Sequence, residues 1–537
     1  MKNIRIYYTS DIHGNLMPVD YTGIGRNKGG LLPIAGEIVH DGNTLVIDGG
    51  DSLQGTPLVA YYLEHAADYT SHPVADAFGA MGLNVFTLGN HDFNFGYEAI
   101  RSYVEAMKAH GAVCVCANVT DLGGEIPIIP WQISVLENGL RVGITGAVTD
   151  YVNVWEKPEH LTKLKVGDAL EAVRKALAEM KQAGCDLTIC IYHGGYERDL
   201  STGKLLSDSR ENRACLLGEE LDFDLLLTGH QHMAVEKAVF GNTFSCQPPD
   251  KADRYILLEG CWDGPEPEAE GNTEENSDGN ADGNAGAGEK SGWRFDARLI
   301  HAGDTWNPEG FEELLALEKR TQHWLDEKIG TFAEPLLPES KLDAALYGSR
   351  VAALVNEVQL THVKADFSCT SLTNDPIGFA REVSIRDVYT AYPFANVSVL
   401  KQITGRTLKL ALERCASYLE LADGKPVISD RFLKPKIEHY NYDFYAGIDY
   451  AFDIRRPLGD RVVRLLRLDG TPIEEDGQYT LVCSDYRASG TGGYEMIGES
   501  PVLWTGADNM QDLLIGYIRE HALIKPAENV RFRVIWQ

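Results

Sequence analysis

Basic side chains are scarce in this chain: 49 Lys and Arg stand against 79 Asp and Glu, a formal net charge of −30 over 537 residues. A binder of polymeric nucleic acid needs a basic stripe to displace condensed counterions, and none is present, so no nucleic-acid polymer is expected as a partner. No apolar run approaches the roughly 20 residues of a membrane span, and the C-terminal Arg531 to Gln537 carries no anchor signal, so no membrane partner is expected either. The ten cysteines, at 114, 116, 185, 190, 215, 246, 261, 369, 415 and 483, form no C-x-x-C pair. They read as buried thiols of a reducing compartment, not as a disulfide framework. A strand pattern begins at Ile4 and a candidate ligand already stands at Asp11, which leaves no room for the apolar core of a signal peptide. The expectation is a cytoplasmic protein, with an exported form whose leader has been removed as the alternative.

What the chain has is length and apolar content: 537 residues exceed the reach of one core, and 44% apolar residues suffice for two or three packed domains. Part of its acidity sits in one segment, Asp263 to Gly292, where nine Asp or Glu face Lys290 alone amid Gly, Asn and Ala. Such a composition cannot bury enough apolar surface to order itself and reads as a disordered surface loop.

Five short polar clusters recur in order: Asp11-Ile12-His13, Gly50-Asp51, Gly89-Asn90-His91, His193-Gly194 and Gly229-His230-Gln231-His232. Taken singly, each is the stuff of an ordinary turn. Together they supply carboxylates, an amide oxygen and neutral imidazoles, a set that suits two hard or borderline divalent ions such as Mn²⁺, Zn²⁺ or Fe²⁺. A pair of ions about 3.5 to 4 Å apart clamps phosphoryl oxygens through an in-line displacement, which makes a phosphoester hydrolase the leading reading. Asp51 is the expected bridge; Asp11, His13 and His232 complete one position, and Asn90, His193 and His230 the other. His91 is left as the acid.

Each cluster follows an apolar, β-branched run: Ile4 to Tyr8, Leu45 to Ile47, Val85 to Leu88, Leu187 to Ile191 and Leu225 to Leu227. These read as buried parallel strands, with helical patterns between them at Glu98 to Lys108 and Asp168 to Gln182. Ligands would then leave the carboxyl ends of strands, where open α/β sheets bind them.

With these residues in place, the chain resembles the calcineurin-like metallophosphoesterases, and within them the 5′-nucleotidase group. Gly50-Asp51-Ser52-Leu53-Gln54-Gly55-Thr56-Pro57, Leu88-Gly89-Asn90-His91-Asp92-Phe93-Asn94-Phe95-Gly96, Tyr440-Asn441-Tyr442-Asp443 and Asp485-Tyr486-Arg487-Ala488-Ser489-Gly490 are similar to the branch of 2′,3′-cyclic-nucleotide 2′-phosphodiesterase/3′-nucleotidases. The resemblance implies a mixed α/β (α+β) fold. A four-layer metallophosphoesterase β-sandwich with flanking helices would occupy 1–305, a linker helix 306–334, and an α/β nucleotide-binding domain 335–537. Further helices are expected at Gly348 to Leu360 and Leu408 to Leu421, and strands at Val462 to Leu468 and Tyr479 to Cys483. The resemblance also implies a 2′,3′-cyclic nucleotide opened to a 3′-nucleotide, with His91 protonating the departing 2′ oxygen or stabilising the developing alkoxide, followed by hydrolysis to nucleoside and phosphate. Domain closure about the linker belongs to the same implication.

Departures from the 5′-nucleotidase pattern bear on the substrate. That group usually has an Asp where this chain has Asn94, so Asn94 is expected to orient the His91 ring without charge. Where it has a nucleotide-contacting Arg, this chain has Ser371-Leu372-Thr373-Asn374-Asp375-Pro376; where it has a ribose-binding Asp, Gly492 stands. A ribose whose 2′ and 3′ oxygens carry phosphate offers no free hydroxyl pair to such an Asp. Base recognition would come from stacking on Tyr486, with Phe394 or Tyr440 as the opposite wall, and Asn118 is placed on the substrate side. Tyr440, Tyr442 and Phe444 also fit ordinary strand packing. The partner implied is a small nucleotide. The alternatives are a 5′-nucleotidase or nucleotide-sugar hydrolase and, outside enzymes, a metal-binding scaffold module.

Overall fold

The computed structural model describes residues 2–23, 29–205, 210–262, 292–394, 396–434, 437–521, 523–525 and 531–537. The acidic segment expected as a loop lies outside them except for Gly292. The chain divides into two compact units, Met1–Asp20 with Arg26–Glu318, and Tyr21–Gly25 with Lys319–Gln537. The helix expected as a linker is Glu312–Leu325, and the division falls inside it.

The first unit is built on two sheets. One runs in the order Trp293–His301, Arg254–Trp262, Asn3–Thr9, Thr44–Asp48, Val85–Phe86, Val113–Val115, Ile128–Ile129; the other Val235–Phe240, Thr243–Gln247, Leu225–Thr228, Leu187–His193, Arg141–Val148, Trp131–Val135. The five apolar runs are strands, but they are shared between the sheets, three in the first and two in the second. Parallel pairing holds through the centre of each sheet; the second sheet is antiparallel at both margins, whereas the first is antiparallel only at the Trp293–His301 side and stays parallel to its Ile128–Ile129 edge.

Alternation along the strands explains the layers. Ile189, Ile191, Leu225 and Leu227 join Ile4, Ile6, Ile47 and Val85 of the other sheet in one core. Cys190, Tyr192 and Leu226 point the other way, onto Val173, Leu177 and Met180 of the helix Ala169–Gln182. Because Leu187–His193 is buried on both faces, it reads in sequence as a continuous apolar run. That helix starts where Asp168 accepts the Glu171 amide at 3.0 Å, an N-cap followed by an acidic first turn. Across the first sheet, Phe86 meets Tyr103 of the helix Gly96–Ala109, ring centroids 5.6 Å apart. The result is helix, sheet, sheet, helix.

In the second unit a five-stranded sheet, Asp443–Ala446, Phe367–Ser371, Gln478–Ser484, Val397–Thr404, Val502–Asn509, carries the helices Arg350–His362, Ile385–Ala391, Gly405–Ala416 and Met510–Glu520. A three-stranded sheet joins Val462–Arg467, Ile448–Asp453 and Arg531–Ile535. The alternating aromatics enter this framework late, since His439–Asn441 is a 3₁₀ turn and the strand begins only at Asp443. Among the described residues, no helix is long and apolar enough to cross a membrane.

Ile191 lies between the sheets with no exposed surface. Ile191→Ala is expected to cost about 2–5 kcal/mol through lost transfer energy and a residual cavity, read as a lower urea midpoint for the first unit. An unchanged midpoint would mean that the two sheets do not share this core.

Candidate metal centre

Parallel register delivers the candidate ligands side by side. Tyr8 pairs with Ile47 and Thr9 with Asp48, so the chains leaving these strands run together: Asp11 N donates to Gly50 O and His13 N to Asp51 O, each at 2.9 Å. The second sheet meets the same rim through Tyr8, whose hydroxyl donates to Thr228 O at 2.9 Å. The motif glycines permit this crowding. A Cβ on Gly89 would stand 2.3 Å from Asp51 N, and one on Gly229 would stand 2.3 Å from Ser10 Oγ.

The backbone is also strained here. Of the eight non-glycine residues described with positive φ, five are candidate ligands: Asp11, His13, Asp51, His230 and His232. Left-handed backbone costs a non-glycine residue about 1–3 kcal/mol and persists only where the surroundings over-determine it. One source of that determination is Asp92, fully buried, whose two carboxylate oxygens accept the amides of Gly89, Asp51, Ser52 and Leu53 at 2.8–3.0 Å. Asp48 does the same for the preceding turn, taking Thr9 Oγ1 at 2.7 Å and Gly50 N at 2.9 Å. Burial pushes the Asp48 carboxyl up to about 8 and the Asp92 carboxyl up to about 6, against the hydrogen bonds that favour charge.

Two groups of donor atoms result, Asp11 with His13 and His232, and Asp51 with His193 and His230, the atoms within each lying within 4.8 Å of one another. Their protonation is fixed from behind. His13 Nδ1 lies 2.8 Å from Gln54 O and His193 Nδ1 2.7 Å from Gly49 O. A carbonyl only accepts, so each Nδ1 carries the proton and each Nε2 a lone pair. In the neutral rings these lone pairs face other nitrogen and oxygen atoms of the cluster. His13 Nε2 is 3.0 Å from His232 Nε2; His193 Nε2 is 3.2 Å from Asn90 Oδ1, 3.2 Å from Asp51 Oδ2 and 3.9 Å from Asp11 Oδ1. His230 Nδ1 lies 2.8 Å from the same Asn90 oxygen. Asp51 Oδ1 accepts the His91 amide at 2.7 Å, while Asp51 Oδ2 is buried without a hydrogen bond.

Acceptors gathered this closely repel unless positive charge lies among them. Protons can supply some. Burial opposes charge on His193, yet Asp51 and Asp11 outweigh it and push that imidazole up to about 10. Burial would likewise raise Asp11, but His193 and His232 bring it down to about 2, and Asp51 is held well below the usual carboxylate range, against its own burial, by His193, His91 and His13. His13 goes the other way, to about 4, because burial outweighs the pull of Asp51. The field that draws a proton onto His193 would draw a divalent cation, and the donor set, mixed N and O with imidazoles hydrogen-bonded from behind, fits one.

The other expected site residues separate. His91 stands at this rim, its ring centroid 5.6 Å from that of His13, with Nδ1 buried and unpartnered. Asn94 does not orient that ring. In the orientation that satisfies its neighbours its amide nitrogen donates to the carbonyls of His91 at 3.2 Å and Asn90 at 3.3 Å, so it ties the loop and not the imidazole. Asn118 is not on a substrate surface: it is buried, with Nδ2 on Val148 O at 2.7 Å and Gly167 O at 3.1 Å and Oδ1 taken by Val148 N at 3.0 Å. Both of its ends are spent bridging strand ends.

In the second unit Tyr486 is partly exposed and Tyr440 meets it edge to face, centroids 6.5 Å apart and planes at 72°. That pair makes no parallel slot for a base. Phe394 is half-buried and edge-on to Tyr392, at 5.6 Å and 88°. Tyr442 and Phe444 are buried and pack on each other, as strand residues do. Beneath Tyr486 lies an anchor whose two members stand in the quoted motifs but whose pairing was not foreseen: Arg487, buried, pairs with Asp443 through Nη2–Oδ1 at 2.8 Å and Nε–Oδ2 at 2.7 Å and lies 3.8 Å over the Tyr494 ring. In the segment Ser371 to Pro376, Thr373 O accepts from Lys341 Nζ.

Sequence reasoning also missed the outer partners of the first-unit imidazoles: Glu211, whose Oε1 is 3.1 Å from His230 Nε2, and Asp250, whose Oδ2 is 3.5 Å from His232 Nδ1. Neither belongs to a motif. Asp92 did lie within one, two residues after Asn90.

Residues 4–234 match the calcineurin-like phosphoesterase family and residues 328–499 the 5′-nucleotidase C-terminal domain. Among curated relatives, a 2′,3′-cyclic-nucleotide 2′-phosphodiesterase/3′-nucleotidase of Haemophilus influenzae is 24% identical over 96% of this chain and 84% of its own length. The trifunctional nucleotide phosphoesterase protein YfkN of Bacillus subtilis is 22% identical over 98% of this chain, which spans 38% of that longer protein. Among solved structures, a Staphylococcus aureus protein provisionally assigned as a 5′-nucleotidase is 28% identical at a TM-score of 0.81, covering 99% of this chain and 100% of its own.

Replacing Asp92 by Asn turns one of two acceptor oxygens into a donor facing amide N–H groups. An unsatisfied buried group costs about 1–3 kcal/mol, so the first unit should melt several degrees lower and bind divalent cations more weakly. Unchanged melting and cation binding would show that Asp92 does not hold these loops.

Proposed function

We propose that this chain, which belongs to the calcineurin-like phosphoesterases and joins that metal-dependent hydrolase domain to a 5′-nucleotidase C-terminal domain, hydrolyses 2′,3′-cyclic nucleotides to 3′-nucleotides and these to nucleoside and phosphate. The observation that carries the reading is the convergence of carboxylate, amide and imidazole ligand atoms at the first-unit rim. Asp11, His13 and His232 would hold one cation and Asn90, His193 and His230 a second, with Asp51 between them. When bound, such cations supply positive charge to phosphoryl oxygens and lower the pKa of water.

The chain's own residues do the rest. Gly49 and Gln54 carbonyls hold His193 and His13 in the tautomer that turns Nε2 inward. His91 has Nδ1 buried, so Nε2 is the nitrogen that delivers its proton to the departing 2′ oxygen, and in the second hydrolysis to the 3′ oxygen. With Asn94 committed to backbone carbonyls, no carboxylate at that position stabilises the imidazolium. Tyr486 offers an accessible ring to a base, stiffened from below by Arg487, 5.6 Å from its centroid.

The relatives' names divide between cyclic-nucleotide and 5′-nucleotidase activities, and Gly492 favours the first. Its φ is +80°, and a Cβ there would stand 2.1 Å from Asn441 Oδ1 and 2.9 Å from Arg487 Nη1. A ribose-binding Asp could not be housed at this position without dismantling its neighbours. That loss suits a substrate whose 2′ and 3′ oxygens already bear phosphate.

With Mn²⁺ supplied, phosphate release or ring opening is expected from 2′,3′-cyclic AMP and 3′-AMP well ahead of 5′-AMP, and EDTA should abolish it; a preference for 5′-AMP would overturn the substrate assignment. Asp51→Asn is expected to lower kcat by more than about 100-fold, beyond what loss of an outer-shell partner costs, and near-normal turnover would refute its place between the cations. Tyr486→Ala should raise KM about 5- to 150-fold for nucleotides, the equivalent of about 1–3 kcal/mol of stacking, with little change for a small aryl phosphate. Equal effects on both would mean that Tyr486 packs and does not stack.

A further inference from the structure

The converging imidazoles are not held alike. His13 and His193 each give Nδ1–H to a neutral backbone carbonyl. His230 gives Nε2–H to a carboxylate, Glu211 Oε1, at 3.1 Å. Its ring is also gripped by its face, because the Trp155 indole stacks on it with centroids 5.5 Å and planes 29° apart. Trp155 is in turn backed by the edge of Tyr151, at 5.1 Å and 70°. Glu211 sits on a pinned segment: its own carbonyl accepts Thr149 Oγ1 at 2.7 Å and Tyr192 OH at 3.4 Å, and the next residue, Asn212, takes Gly195 N at 2.8 Å. His232 has much less. Its ring is 40% exposed, and Asp250 Oδ2 stands 3.5 Å from its Nδ1.

We propose that Glu211 and Trp155 are positioning residues that set the cation affinity of the position formed by Asp51, Asn90, His193 and His230, making it the tighter of two unequal positions; this rests on the two-cation reading above. A carboxylate on the outer N–H fixes the tautomer and makes the inward Nδ1 a stronger donor, and removing such a partner typically loosens a metal 10- to 100-fold. The stacked indole keeps the ring from turning its lone pair away, a role carried by shape and not by charge.

The test is a titration of the metal-free protein with Mn²⁺ against a competing chelator, which reads the dissociation constant of each ion without reference to turnover. Wild type should take up two ions in separable steps, and His232→Ala should remove the weaker. Glu211→Ala is expected to weaken the tighter step about 10- to 100-fold and leave the other within about twofold. Glu211→Gln, which keeps an acceptor oxygen, should recover part of that loss, and Trp155→Phe should be milder than Trp155→Ala. A residue that merely braced the fold would lower melting temperature in the metal-free state and weaken both steps together, so melting curves accompany each variant. Fewer than two ions on wild type would overturn the two-cation reading and this proposal with it. Two ions on wild type and an unchanged tighter step in both Glu211→Ala and Trp155→Ala would overturn this proposal alone.

Discussion

The crowding of carboxylate, amide and imidazole atoms at one rim governs the first unit. His13 Nε2 faces His232 Nε2 at 3.0 Å, and His193 Nε2 and His230 Nδ1 both face one oxygen of Asn90. With His13 and His193 hydrogen-bonded at Nδ1 from behind, their neutral rings turn lone pairs into this cluster, so the fold holds polar atoms together at a cost that positive charge among them would relieve. It does so from behind and below. Backbone carbonyls lock the rings, Asp92 gathers four amides from two loops, and two parallel strand pairs fix where the loops emerge. The left-handed conformations at Asp11, His13, Asp51, His230 and His232 are the backbone's share of the cost. A site that keeps such strain is pre-organised for positive charge instead of being assembled by it.

The strands explain why that strain survives. The core between the sheets is formed by residues with almost no exposed surface, including Ile6, Ile47, Ile189, Ile191 and Leu225. Each lies one to a few residues before a ligand loop, so a shift of the loop would have to move a packed strand. Interiors at this density resist such displacement, and the loops inherit the stiffness of the sheets.

The candidate ligands could be picked out in sequence because their chemistry is local: Asp-x-His, Gly-Asn-His and Gly-His-x-His each carry their own glycine or turn geometry, and each trails an apolar run. The partition of those runs between two sheets was not legible, because Leu45 to Ile47 and Leu225 to Leu227 look the same in isolation and only pairing tells them apart. Outer partners were hidden for a related reason. Glu211 is nineteen residues from His230 and Gly49 is 144 from His193, and any carboxylate or carbonyl would look the same before folding. Asn94 and Asn118 misled in the opposite sense. An amide can serve a ring, a substrate or a backbone, and here the orphan carbonyls and amides at loop and strand ends claimed both side chains.

The second unit follows another logic, in which exclusion does more than attraction. Its anchor is a buried ion pair, Arg487 with Asp443, and such pairs contribute little net stability while costing about 3–5 kcal/mol when one partner is lost. What the pair provides is rigidity: Arg487 also lies on the Tyr494 ring, and its Nη1 donates to Thr491 O, so the turn that ends at Gly492 and Gly493 cannot relax. Rigidity is what would make the absence at position 492 selective under the substrate reading proposed above. A flexible loop could swing a neighbouring carboxylate into the gap, whereas Asn441 Oδ1 and Arg487 Nη1 already stand where a side chain at 492 would have to start. Under the cyclic-nucleotide reading proposed above, specificity would come from what position 492 cannot offer, a carboxylate for a free pair of ribose hydroxyls, and would cost that substrate nothing, because a cyclic phosphate has no such hydroxyls to satisfy.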